Sequence, residues 1–237
     1  MKTKNLFKQA FQFKETNCTI ITDDESAINA AESSIKYHRK QLERYTQTHP
    51  KFLYSLQPVP VDKGPKIVRL MTQASENAKV GPMAAVAGVL ADLAVEDMTL
   101  AGSEVAVVEN GGEVSANCTR NQPIDVALSA GDSLLSKQIG FRLEKFPMGV
   151  ATSSGVFSHA LSFGEAEAVT LFAVNAGVAD AAATAVGNLI KGDDYRRAVE
   201  RGIEEALSIE GVRGVFILYR EIVGKAGQIP QLIKVST

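Results

Sequence analysis

The longest apolar run in the chain, Val80 to Val95, is built mainly from alanine, valine and glycine and is interrupted by Asp92. It is too short and too weakly hydrophobic for the roughly 20 apolar residues of a bilayer span, so it predicts a helix buried in protein. A second alanine-rich helix is expected from about Val178 to Ile190, ending at Lys191-Gly192, where glycine suits the position just past a helix. The rest of the chain is ordinary globular sequence. Of 237 residues, 45% are hydrophobic and 22% charged, enough for one large domain or two small halves. The net charge of −2 gives no basis for a nucleic-acid partner.

Around these helices the periodicity changes several times. Phe13, Thr16, Cys18, Ile20 and Ile21 suggest an opening strand within residues 8–22. Asp23, Asp24 and Ser26 offer helix caps, and Ile28, Ala31, Ile35, Leu42 and Tyr45 follow at helical spacing, with His38, Arg39, Lys40 and Arg44 expected on the outer face. Proline clusters between His49 and Lys66, the best linker candidate. A helix is expected over 66–78, broken by Gly81-Pro82 before the alanine-rich one, which should end near Ala94. Val105 to Val114, turning at Asn110-Gly111-Gly112, has the form of a β-hairpin. Further strands are expected at 124–129, 139–143, 148–152, 156–161, 167–174, 212–223 and 232–235, with a helix capped by Asp193 or Asp194.

Strands mixed with helix pairs, without regular βαβ alternation, predict an α+β fold with antiparallel sheets packed on helix pairs. The two pairs, 66–94 and 178–207, permit a duplicated architecture. The chain is expected to be a single domain, 1–237, which permits a subdivision into an N-terminal strand–helix segment, 1–60, and a core, 61–237. The N-terminus has basic residues but no apolar signal region. Cys18 and Cys118 form no CxxC pair, too few for a disulfide scaffold or zinc site. A cytoplasmic protein with free thiols and no membrane partner is the expectation.

Four blocks, in order, resemble the flavin-transferase (ApbE-like) superfamily. Met83 to Asp92 is similar to its Gly-x-x-x-Asp helix, and Val107 to Val114 to its strand–Gly-Gly–acid element. Gly149-Val150-Ala151-Thr152-Ser153-Ser154-Gly155 matches its Ala-Thr-Ser turn, and Ala179-Asp180-Ala181-Ala182-Ala183-Thr184 its Ala-Asp-Ala-x-Ala-Thr helix start. The resemblance implies a T-fold-like domain, and an activity that moves FMN from FAD onto a threonine of an acceptor protein with magnesium. It also implies a site. Asp180 and Thr184, four residues apart and so on one helix face, would hold magnesium with the backbone carbonyls of Ala84 and Ala183. Ala183 would need an irregular helix start to free its carbonyl. Ala87, Gly88, Asn110, Gly111, Gly112, Thr152, Ser153 and Ser154 would contact the flavin nucleotide, and His159 is the candidate catalytic residue. All four blocks are expected to converge on one concave site for a small phosphate-bearing ligand.

The residues also carry plainer readings. Asp180 has the place of an ordinary helix-start acid, Asn110-Gly111-Gly112 makes a good turn whatever the function, and the Thr152–Gly155 hydroxyls occur in ordinary turns. Glu109 and Glu113 are expected to be solvated. The family's first block, Asp-Leu-Gly-Gly-Ile-Ala-Lys-Gly, here reads Gly81-Pro82-Met83-Ala84-Ala85-Val86-Ala87-Gly88, without the acid, the paired glycines or the lysine that serve a pyrophosphate. His159-Ala160-Leu161-Ser162 lacks the acid and proline of the family's His-x-x-Asp-Pro strand. Three readings therefore stand together: a magnesium-dependent flavin transferase, a ligand-binding or accessory protein on the same fold, and a component of sulfur incorporation into homocysteine.

Overall fold

The computed structural model describes residues 6–120, 122–128, 139–155 and 163–235. Eight strands form one antiparallel sheet whose spatial order follows the chain: β1 (Phe7–Phe13), β2 (Thr16–Thr22), β3 (Val105–Asn110), β4 (Glu113–Cys118), β7 (Met148–Ser153), β8 (Ala168–Ala173), β9 (Val212–Tyr219) and β10 (Ile222–Gly227). Between β4 and β7 lie β5 (Ile124–Ala127) and β6 (Ile139–Leu143), which join β11 (Gln231–Lys234) in a separate three-stranded sheet, ordered β11-β6-β5.

Helices fill the other intervals. Between β2 and β3 come α1 (Ser26–Thr48), α2 (Pro50–Tyr54), α3 (Lys66–Ala78), a 3₁₀ turn (Pro82–Ala85) and α4 (Val86–Leu100). Between β8 and β9 come α5 (Ala176–Leu189) and α6 (Tyr195–Ser208). Each half of the large sheet is thus two strands, a set of helices and two more strands. The duplicated pattern permitted by the two helix pairs is present in the element order. Residues 7–22 supply the outer two strands of this sheet, and α1 packs on α4, so the N-terminal segment shares its core.

The middle strands are buried on both faces, which explains β8, Ala-Val-Thr-Leu-Phe-Ala, with every position inaccessible. Its Val169, Leu171 and Ala173 face the helices. Ala168 and Phe172 face the small sheet, where the Phe141 ring meets Phe172 edge-on at 4.8 Å. The alanine-rich α4 is buried along most of its length and crosses α5 closely. A Cβ on Gly88 would lie 2.2 Å from the Ala176 carbonyl oxygen, so only glycine permits that approach.

Several local expectations change. The opening strand is a hairpin turning at Lys14 (φ 54°), and 212–223 divides at Arg220 (φ 55°); neither turn carries the usual glycine or asparagine signal. The presumed linker contains α2. His38, expected outside, is buried, because positions 31, 35, 38 and 42 form the inward stripe of α1. The strand expected at 156–161 falls outside the described residues. Among the described residues no single helix is long and apolar enough to cross a membrane. The pair α3 and 3₁₀-α4 has the composition but bends by 104°, and most of its apolar side chains lie in the core.

Candidate functional site

Helix α4 begins without a capping side chain of its own, since Ala85 occupies its N-cap. Its first N–H groups need acceptors from elsewhere, and α5 supplies one: the Gly88 N–H donates to Asp180 Oδ2 at 2.9 Å. The arrangement is reciprocal. Asp92 of α4 accepts from the Ala176 and Gly177 N–H groups at the start of α5, both at 2.8 Å, and from the Ser115 hydroxyl at 2.7 Å. Asp180 is the fifth residue of α5 and caps the neighbouring helix rather than its own, whose cap is Asn175, accepting from the Val178 N–H at 2.9 Å.

Three further elements reach this helix junction. The Asn110 side-chain amide donates to the Ala87 carbonyl at 2.9 Å, fixing the β3–β4 turn against α4. The last β4–β7 rung pairs Val114 with Val150, so Gly111-Gly112 and the end of β7 lie together beyond it. Glu113 shares a β4 face with Ser115, the face toward the helices. Burial pushes Glu113 well above the usual carboxylate range, and the charge of Asp180 pushes it further. Burial likewise raises Asp180, with Asp92 adding to it, against the opposing N–H bonds of Gly88 and Ala87. Asp92 is raised to about 6, chiefly by burial, despite its three donors. Glu113 and Asp180 thus form a pair of desolvated acids facing the start of α4.

One turn along α5, Thr184 lines a cavity of about 230 Å³ together with Ala84, Gly81 and Met83. Leu53, Tyr54 and Leu56 form its outer wall, and Tyr54 and Leu56 are 76% and 59% exposed. Asp180, Thr184, Ala84, Ala87, Gly88 and the Asn110–Glu113 turn are therefore brought to one region. Ala84 sits in the 3₁₀ turn ahead of α4, outside its regular ladder. Ala183 lies within α5, which is already helical from Ala176, so the irregular start its carbonyl would need is not found at this position. Ser153 packs over Gly187 of α5. Thr152 points to the opposite face, where its hydroxyl bonds Thr170 at 2.9 Å. Ser154 is buried behind them, and His159 lies outside the described residues.

Sequence reasoning missed Glu113, which is not a solvated hairpin acid, and the Leu53–Leu56 wall. The alternation of β4 carried the first signal, because Glu113 is in phase with Ser115 and Asn117 rather than with Val114 and Ala116. Nothing local identified the second. Among the described residues no three His, Cys, Asp or Glu side chains converge as a metal cage. The donors near the cavity are a carboxylate, a hydroxyl and a carbonyl: hard oxygens of the kind magnesium takes while keeping several waters. The fit to magnesium is chemical. For a whole flavin dinucleotide the cavity is small, since pockets that enclose drug-sized ligands hold about 300–1,000 Å³.

A family described as AbpE bacteria matches residues 2–211. A UPF0280 protein of Methanocaldococcus jannaschii is 40% identical over 233 residues, covering 96% of this chain and 93% of that protein. Another, from Methanothermobacter thermautotrophicus, is 43% identical over 197 residues, covering 82% and 76%. Among solved structures, the apo form of Pseudomonas stutzeri flavinyl transferase ApbE superposes with a TM-score of 0.65 at 17% identity, covering 94% of each chain. The ApbE protein of Thermotoga maritima gives 0.58 at 13% identity, covering 94% of this chain and 97% of that one. At these identities the likeness is one of fold.

Proposed function

From the premise that the chain belongs to the AbpE bacteria family, we propose that it is a magnesium-assisted transferase of the flavin-transferase type, acting on a phosphate-bearing ligand. The observation that carries this reading is the meeting of three separate elements: Thr184 and Ala84 line one cavity, with Asp180 one turn back along α5 and its charge bearing on Glu113 of β4. Two desolvated acids facing each other are costly unless they hold a proton between them or a cation joins them, and a cation is the state a metal site would use. Asp180, Thr184 and the Ala84 carbonyl would hold magnesium, which supplies charge neutralisation at a phosphate. Tyr54, Leu56 and Met83 offer apolar walls for a ring. The same reading sets the reaction in the cytoplasm, with a threonine of an acceptor protein receiving the transferred group.

A second reading rests on the cavity lining. Among the described residues it contains no lysine or arginine, and its volume is small. Both features favour a smaller phosphate-bearing ligand than FAD, held by a binding protein that keeps the fold without the transfer.

One experiment separates these readings. Melting temperature is measured with FAD, FMN or a simple nucleotide, with and without magnesium, in wild type and Asp180→Ala. A ligand that binds the native state raises it by mass action. The transferase reading expects a magnesium-dependent rise with FAD or FMN that Asp180→Ala abolishes. The binding reading expects it with the nucleotide alone. If Asp180 only caps α4, its loss costs about 0.5–2 kcal/mol in every condition alike. Equal increments in both proteins would then end the metal assignment.

A further inference from the structure

On the face of the large sheet that carries the small one, a cavity of about 410 Å³ opens where the turn after β6, the start of β9 and the 228–231 crossover meet. Three cations line it, Arg142, Lys145 and Arg213, against the single carboxylate of Glu144. Arg142 is committed to Asp125 through two bonds of 2.8 Å. Arg213 is not committed in this way. Its Nη1 donates to the Pro147 carbonyl at 2.8 Å and approaches the Met148 sulfur at 3.9 Å, and among the described residues no carboxylate pairs with it. It is nevertheless half-buried.

The wall that carries Arg213 is fixed at the backbone. The Gln228 N–H donates to the Arg213 carbonyl at 2.7 Å. The next residue, Gly214, leaves no room for a side chain, since a Cβ there would stand 2.8 Å from the Gln228 backbone. A guanidinium held from one side by a carbonyl, half out of water, presents its remaining donors as a preformed fork. That fork matches the paired oxygens of a phosphate or carboxylate.

We infer that this cavity is a second ligand site, for a small molecule bearing a phosphate or carboxylate. Arg213 grips the oxyanion, Lys145 adds charge, and Phe146 and Ile229 receive the apolar body. The site is separate from the one at the helix junction. It lies on the face of the large sheet that carries Met148 and the small sheet, whereas α4 and α5 pack on the opposite face, so the sheet stands between the two sites.

The test titrates inorganic phosphate or succinate, at fixed ionic strength and without magnesium, into wild type, Asp180→Ala, Arg213→Met and Lys145→Met, reading melting temperature. A rise with either anion over a chloride control is expected in wild type and Asp180→Ala alike. Arg213→Met should weaken the apparent affinity about tenfold or more, as loss of a charge-assisted hydrogen bond does. Lys145→Met should weaken it less, and because Lys145 is exposed this variant serves if Arg213→Met fails to fold. A response to phosphate alone, or to succinate alone, identifies the oxyanion. No rise in wild type overturns the inference, as does a full rise in Arg213→Met or, where that variant does not fold, in Lys145→Met. Loss of the rise in Asp180→Ala overturns it too, by assigning the anion to the other site.

Discussion

Asp23 shows how one side chain can leave its local task for a distant one. Its neighbour Asp24 takes the start of α1, accepting from the Ser26 N–H at 3.0 Å. Asp23 instead accepts from the Ser103 hydroxyl and the Glu104 and Val105 N–H groups, and pairs with Arg120 at 2.6 Å. Burial by itself would raise its carboxyl, but these donors outweigh it and hold the group below its ordinary 3.8. A depressed folded-state value means that the stabilisation is present above the unfolded value and is lost as pH falls through the folded one. Asp23→Asn should therefore cost about 1–3 kcal/mol near neutrality. In urea unfolding from pH 7 to pH 2.5 the gap between the two proteins should close as the pH drops below about 3.8. A gap that is constant with pH would remove the carboxylate from the explanation.

At the scale of elements, the exchange of caps between α4 and α5 joins packing to the candidate site. Each helix starts against an aspartate of the other, so the junction holds only while the two axes stay close, and Gly88 sets that distance. Gly88→Ala should gain up to about 1 kcal/mol of helix propensity. It should lose more, because its Cβ would fall 2.2 Å from the Ala176 oxygen. A net destabilisation of about 1–3 kcal/mol is expected from such overpacking. The separated helices should also bind the flavin or nucleotide ligand less well in the melting assay. A variant of unchanged stability would show that the helices move apart freely.

At the scale of the whole molecule, the large sheet separates two cores. Cys18 lies among the residues facing the helices and Cys118 among those facing the small sheet, both buried. Burial, with the charge of Glu109 adding to it, pushes the Cys18 thiol up to about 12. The two sulfurs stand on opposite sides of a sheet and cannot meet without unfolding it. Ellman titration of unreduced protein should find both thiols reacting at once in denaturant and very slowly in native buffer. A denatured, unreduced protein with no free thiol would contradict both this layout and the expectation of a reducing compartment.

Read by itself, the sequence determined the class of the fold and most of its elements. Helical and strand periods are local properties, so α3 falls at the expected 66–78 and the β3–β4 turn at its Asn-Gly-Gly signal. The motifs also located the Asp180–Thr184 helix face, because a spacing of four on a helix needs nothing else. What the sequence left open was decided by contacts between distant segments. Which helix Asp180 caps depends on α4 lying across α5, and the high value of Glu113 depends on its burial at the junction, with the charge of Asp180 adding to it. Thr152 and Ser153 are adjacent in the chain, yet the alternation of β7 sends one toward each core. Such outcomes follow from burial and approach, which are set by residues far apart in the chain, and no local pattern carries that information.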